Sequence, residues 1–130
     1  MKFEHTVRVY WEDTDAGGVV FYANYLKYFE RARTEWLRSL GFSQEKLRTQ
    51  DAAMFIVAST TVRYLRPARL DDELRVSVRV LEAGRATLAV TQQALRGDEL
   101  VAEGDIRIGC VDAGTFRPRR IPTDLLTAIA

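Results

Sequence analysis

The sequence predicts an α+β domain in which one long helix covers the apolar face of a curved antiparallel sheet. Three observations predict it: a single long stretch of helical period between Asn24 and Leu40, four later runs rich in Val, Ile, Leu and Thr, and short turn-forming connections between the last three of those runs. With 130 residues, 47% of them hydrophobic, the chain has material for one core, so a single domain spanning 1–130 is expected.

The elements follow in order. Phe3, His5, Val7 and Val9 alternate with Glu4, Thr6, Arg8 and Tyr10, an opening strand with one face free to pack. Asp and Gly residues end it. From Asn24 to Leu40, Leu26, Phe29, Ala32 or Arg33, Trp36, Leu37 and Leu40 recur with helical period, while Lys27, Glu30, Arg31, Glu35 and Arg38 mark the wetter sides. Such a helix is about 25 Å long at 1.5 Å per residue and crosses several strands. Gly41 offers its exit, and Ser43 is an N-cap candidate for a short second helix with a Phe42 to Leu47 staple. The strand candidates are Phe55 to Leu65, Leu74 to Leu81, Ala86 to Leu95 and Val101 to Val111. Pro67 with Asp71-Asp72, Glu82-Ala83-Gly84 and Arg96-Gly97-Asp98 separate them, the last two as hairpin connections. Arg117-Pro118-Arg119-Arg120-Ile121-Pro122 is unsuited to a central strand, and the residues after it form a short helix or fray.

Lys and Arg total 19 against 18 for Asp and Glu, so a net charge of +1 provides no general attraction to nucleic acid or membranes. Cys110, the only cysteine, has no intrachain partner, and His5 is the only histidine, which argues against a disulfide, a Cys/His metal site or a bound cofactor. The opening residues carry no signal-peptide segment or membrane span. A cytoplasmic, metal-free protein is the expectation.

Candidate chemistry gathers at Trp11-Glu12-Asp13-Thr14-Asp15-Ala16-Gly17-Gly18-Val19-Val20-Phe21-Tyr22-Ala23-Asn24-Tyr25. Asp15 directly precedes the flexible Ala16-Gly17-Gly18 connection. A partly desolvated Asp15 there activates water, while the free N–H of Tyr22, assisted by a glycine amide such as that of Gly18, polarises an ester or thioester carbonyl. Val19 and Phe21 wall an acyl pocket, and Tyr25 is packing or a substrate-channel wall. The plainer alternatives are an exposed Asx turn for Asp15 and aromatic packing for Tyr22. Asn24 reads as a helix cap. Glu30 is a possible second carboxylate, but Arg31 and Glu35 at four-residue spacing favour a charged helix surface. Arg63, Arg66 and Arg69, together with Arg85 or with Arg117, Arg119 and Arg120, suit the phosphates of a nucleotide-like carrier. No glycine-rich phosphate loop or Ser/His/acid set is present, and neither His5 nor Cys110 has a local partner that would make it a base or a nucleophile.

Tyr10-Trp11-Glu12-Asp13-Thr14-Asp15, Gly17-Gly18-Val19-Val20, Asn24-Tyr25-Leu26, Phe29 to Leu37 and Tyr64 to Leu74 closely resemble the hotdog-fold acyl-CoA thioesterases associated with the bacterial Tol-Pal system, relatives of the 4-hydroxybenzoyl-CoA thioesterases. The likeness covers nearly the whole chain. It implies an antiparallel sheet wrapped around a long helix, sites assembled between subunits of a homodimer or a dimer-of-dimers tetramer, and an acyl-CoA substrate. It also implies that Asp15 is the active-site aspartate, acting as general base or nucleophile, and that Tyr22 occupies the position after the aromatic segment. Many Tol-Pal-associated members carry histidine there, whereas Phe21-Tyr22 looks like the 4-hydroxybenzoyl-CoA version. No histidine-dependent step is available at this position, and short aliphatic, longer fatty and aromatic acyl groups all stay open. The alternative is a non-catalytic acyl-binding or scaffold protein working with envelope-associated partners.

Overall fold

The computed structural model describes residues 3–130. Met1 and Lys2, expected to join the fold, lie outside the described residues. The chain runs through β1 (Phe3–Arg8), a 3-10 turn (Trp11–Asp13), α1 (Asn24–Ser39), α2 (Gln44–Gln50), β2 (Ala53–Tyr64), β3 (Glu73–Ala83), β4 (Thr87–Arg96), β5 (Glu99–Asp112) and α3 (Thr123–Ile129). All sheet neighbours are antiparallel, in the order β1-β3-β4-β5-β2. The long connection from β1 to β2 carries α1 across the sheet, and β2 returns to the far edge beside β5.

On β3, Leu74, Val76 and Val78 are buried beneath α1 and Arg79 is exposed on the outer face, whereas Ser77, which alternation also turns outward, is buried. α1 departs from expectation in the position of its stripe. Tyr25, Tyr28, Phe29, Ala32, Arg33, Trp36 and Leu37 face the sheet, and Leu26 is exposed. The stripe at 25, 28, 29, 32, 33, 36 and 37 keeps a 3.6-residue period throughout, whereas Leu26 sits about 100° away from Tyr25 on the wheel. Bulk decided the contact, since the two tyrosines fill the space against the sheet that a leucine would leave. α1 seats closely where it crosses β5, because a Cβ on Gly104 would lie 3.0 Å from the Phe29 ring.

The buried guanidinium of Arg33 is tied at both ends. It donates to Gln92 Oε1 at 2.8 Å and to Glu30 Oε2 at 2.8 Å, and Gln92 Nε2 in turn donates to the carbonyls of Phe29 and Ser77. Burial would otherwise leave a charge without partners, so this network pins helix to sheet. The Arg31 to Glu35 pairing is replaced by Glu30 with Arg33 and Glu35 with Arg38 at three-residue spacing, which leaves Arg31 over the ring of Tyr28 at 6.0 Å.

α1 ends as Gly41 allows. Phe42 N–H returns to the Leu37 carbonyl at 2.9 Å and Gly41 N–H to Arg38 at 3.0 Å, with Gly41 at φ 90°. Ser43 then caps α2, accepting from Lys46 N–H at 3.1 Å. The C-terminal basic segment meets β5 through a bridge between Val111 and Pro118, with Arg119 paired to Asp112 beside it, before α3 begins.

Candidate active site

The segment from Tyr10 to Asn24 is a compact loop clipped at several points. Its hub is Asp13, a residue with 6% exposure. The Asp13 carboxylate accepts from Tyr10 N–H at 2.9 Å, and its carbonyl accepts from Phe21 N–H and from Asn24 Nδ2, both at 2.8 Å. Asn24 therefore does not cap α1. Its amide reaches back across the loop, and Ala23 occupies the cap position without a side-chain bond. Behind this hub the Tyr28 phenol is buried and has no hydrogen-bond partner among the described residues. Burial first, and then the neighbouring Asp13 carboxylate, push its pKa well above the usual phenol value.

A tight inner turn sits on that base. Asp15 N–H donates to the Val19 carbonyl at 2.9 Å, Gly18 N–H to the Asp15 carbonyl at 3.0 Å, and Gly17 N–H to Asp15 Oδ1 at 2.8 Å. Gly18 takes φ 79°, a left-handed conformation that a side chain would strain. Asp15 is thus held in an Asx turn and is exposed, so the chain does not supply the desolvation expected for it. One carboxylate oxygen is anchored. The other, Oδ2, has no hydrogen-bond partner among the described residues.

The loop is fastened to the segment after β2 by Val20 N–H donating to the Ala68 carbonyl at 2.8 Å and by a bridge between Val19 and Arg69. This joint creates a groove of about 280 Å³ lined by Val19, Val20, Tyr22, Tyr25, Tyr64, Leu65, Arg66 and Pro67. Val19, Tyr22, Tyr25 and Arg66 come together there; Phe21 lies beside them, its ring 4.9 Å from that of Tyr22. Among the described residues, the N–H groups of Tyr22 and Ala23 meet no acceptor, as befits a helix start. Tyr64, to which sequence reasoning assigned no role, donates its hydroxyl to the Tyr22 carbonyl at 3.0 Å.

The arginines divide. Arg66 lines the groove and pairs with Glu99 at 3.4 Å, and Arg69, bridged to Val19, makes no ion pair through its guanidinium among the described residues. Arg63 alternates with Tyr64 along β2, so it lies on the opposite face, paired with Glu103. Arg117 and Arg119 bond to Asp112 at the other end of β5, and Arg85 joins them through its carbonyl and Ile121 N–H. Leu65 and Arg66 bond instead to Val101, so the two basic groups of one chain are anchored roughly 36 Å apart along β5 at ~3.3 Å per residue. Missed altogether was Arg96, which holds the groove's rim by donating to Asp72, Glu99 and the Pro67 carbonyl. Although partial burial works the other way, the Arg69 N–H and Arg96 together hold the Asp72 carboxyl below its ordinary value. Pro67 and Asp72 lie 29 and 24 residues from Arg96, which is why no local pattern announced its place at the rim.

The profile of the thioesterase-like superfamily matches residues 9–129, the whole of this architecture beyond β1. The chain belongs to that superfamily. Its fold is the hotdog fold, and the expectation of a thioester-hydrolysing enzyme holds. The thioesterase-like chain is 41% identical over 126 residues to the acyl-CoA thioesterase YbgC of Haemophilus influenzae, covering 97% of this chain and 93% of that one. It is 42% identical over 125 residues to the acyl-CoA thioester hydrolase YbgC of Escherichia coli O157:H7, covering 95% and 92%. Among solved structures, a probable thioesterase from Bartonella henselae superposes with a TM-score of 0.90 at 31% identity, over 94% of this chain and 100% of that one.

Proposed function

We propose that this protein hydrolyses acyl-CoA thioesters to a free carboxylic acid and CoA, with Asp15 as the catalytic carboxylate and the backbone N–H at Tyr22 polarising the thioester carbonyl. The observation that carries the reading is a carboxylate with one oxygen anchored and one free, on the same clipped loop as helix-start N–H groups that have no acceptor. In the general-base course, Asp15 Oδ2 takes a proton from water as its oxygen bonds to the thioester carbon. The negative charge on the carbonyl oxygen is met by the N–H groups, and collapse breaks the C–S bond, the proton passing to the departing thiolate. In the nucleophilic course, Asp15 itself bonds to that carbon, releasing CoA and leaving a mixed anhydride that water then cleaves.

Val19, Phe21 and Tyr25 are proposed to contact the acyl group; the Gly18 amide expected to assist at the thioester carbonyl is instead taken up by the Asp15 carbonyl at 3.0 Å, so the thioester carbonyl is left to the N–H groups at Tyr22 and Ala23. Arg66 and Arg69 stand at the rim for the CoA phosphates; Arg63, turned to the outer face, suits that role least. The unpaired edge of β2, twelve residues long with Ile56, Val57 and Thr60 exposed, supports a homodimer in which a second chain covers both the edge and Asp15. Pairing two such dimers, a cytoplasmic location and a working link to the Tol-Pal envelope system belong to the same proposal and rest on the family resemblance. No described helix is long and apolar enough to cross a membrane.

The test is a panel of acetyl-, butyryl-, longer-chain and benzoyl-CoA, followed by CoA release, with Asp15→Asn alongside. Turnover that falls about 10²- to 10⁴-fold in Asp15→Asn at retained fold supports the assignment. Unchanged turnover removes Asp15 from the chemistry. No turnover with any substrate, coupled with tight binding of an envelope-associated protein, favours the scaffold alternative.

A further inference from the structure

We infer that Tyr64 is a positioning residue of the reaction, a brace from the end of β2 that holds the Tyr22–Ala23 peptide so that the helix-start N–H groups face the thioester. The inference rests on the proposed role of the helix-start N–H groups, and the donor it braces is the Ala23 N–H, which shares a peptide with the Tyr22 carbonyl and stands next to the Tyr22 N–H.

Ala23 is the N-cap of α1, so its carbonyl is the first that the helix takes up, and the Tyr22 carbonyl lies one residue ahead of it. Here Leu26 N–H goes to the Ala23 carbonyl at 3.1 Å, and Asn24 N–H goes to Phe21 at 2.8 Å. The Tyr22 carbonyl is therefore left over, and the acceptor position is taken by the Tyr64 hydroxyl from 42 residues away, at 3.0 Å. The phenol itself is fixed by two aromatic edges. Its ring lies 6.1 Å from that of Tyr22 at 89° and 5.5 Å from that of Tyr25 at 61°, and Tyr25 is buried against the sheet.

Two physical effects follow from this bond. A peptide plane free to turn would sweep its carbonyl oxygen toward the place where negative charge develops, replacing a donor by a repelling dipole. Holding the carbonyl on Tyr64 keeps the donor side forward. A carbonyl that accepts a hydrogen bond also polarises its own peptide, which strengthens the Ala23 N–H as a donor. Neither effect changes how the groove wall meets the ground-state substrate, because the ring carries that contact.

Tyr64→Phe keeps the ring and removes only the hydroxyl. The expected result is a fall in kcat of about tenfold, well short of the ~10²–10³ lost with an oxyanion donor itself, at a KM within about twofold of the parent. Independently of turnover, the Tyr22 carbonyl ¹³C resonance of the free protein moves upfield as its hydrogen bond is lost. A kcat equal to the parent's, or a change confined to KM, overturns the brace and makes Tyr64 a groove wall. A fall in kcat without any carbonyl shift also overturns it, since the hydroxyl would then act on the substrate directly. Asp15→Asn separates the two levels: full activity there removes the underlying site, whereas an inert Asp15→Asn beside an unaffected Tyr64→Phe removes only the brace.

Discussion

Asp13 and Asp15 lie two positions apart in one acidic run, yet one is buried as the hub of the loop and the other is exposed at its tip. The sequence singled out Asp15 through the glycines that follow it, a local signal that the Asx turn and the left-handed Gly18 account for. Asp13 was legible only as one acid among three, because its partners Phe21 and Asn24 come from residues the loop must fold back to reach. The same non-locality made Asn24 look like a cap. The buried Tyr28 hydroxyl supplies a test at this scale. Its pKa is raised in the folded state, so above about pH 10 the unfolded chain binds fewer protons than the folded one and stability falls as pH rises. Below that value the folded protein is not penalised. Tyr28→Phe removes an unpaired buried hydroxyl at constant shape, so at pH 7 the urea midpoint should hold or rise, and its decline between pH 9 and 11 should be shallower than the parent's. A large loss of stability at pH 7 would show instead that the hydroxyl bonds to Asp13.

At the scale of elements, the strands and both early helices were legible because period and punctuation are local. The short second helix is the cleanest case, with Phe42, Ser43 and Leu47 in their predicted places. Ser43→Ala should cost about 1 kcal/mol through the lost cap at Lys46 N–H, read as a lower melting temperature, with turnover at saturating substrate unchanged because α2 stands away from the groove. What was less legible is which side of α1 faces inward. Apolarity alone ranked Leu26 above Tyr28, while packing on β5 at Gly104 and the polar ties through Arg33 and Gln92 rotated the helix to bury the tyrosines. A charged residue in a buried stripe has no signature in period analysis; its partners on β4 lie 59 residues away. Strand ends were read one or two residues off, early or late, for the same reason: β2 begins at Ala53 because β5 is there to pair with it, through Asp112.

For the whole molecule, one subunit leaves two things incomplete: a bare sheet edge at β2 and a solvent-exposed Asp15. In the proposed homodimer, antiparallel pairing of that edge about a two-fold axis would set the start of one β2 beside the end of the other, near Tyr64 and the groove. Val57→Lys places a charge on the exposed edge strand. It should lower the solution mass toward the monomer at micromolar concentration and take turnover down with it, while leaving the far-ultraviolet circular dichroism spectrum unchanged. A monomeric parent, or a monomeric variant with full activity, would place the complete site within one chain. The lone cysteine bears on how any of this is measured. Cys110 is 1% exposed, its thiol donates to the Arg120 carbonyl at 3.8 Å, and burial pushes its pKa up, so the folded protein offers almost no thiolate to an external reagent. A disulfide dye added to a reaction therefore counts the product thiol with no background from the enzyme, and in the absence of substrate the same dye reports only those molecules that have opened, turning a colorimetric assay into a clock for unfolding.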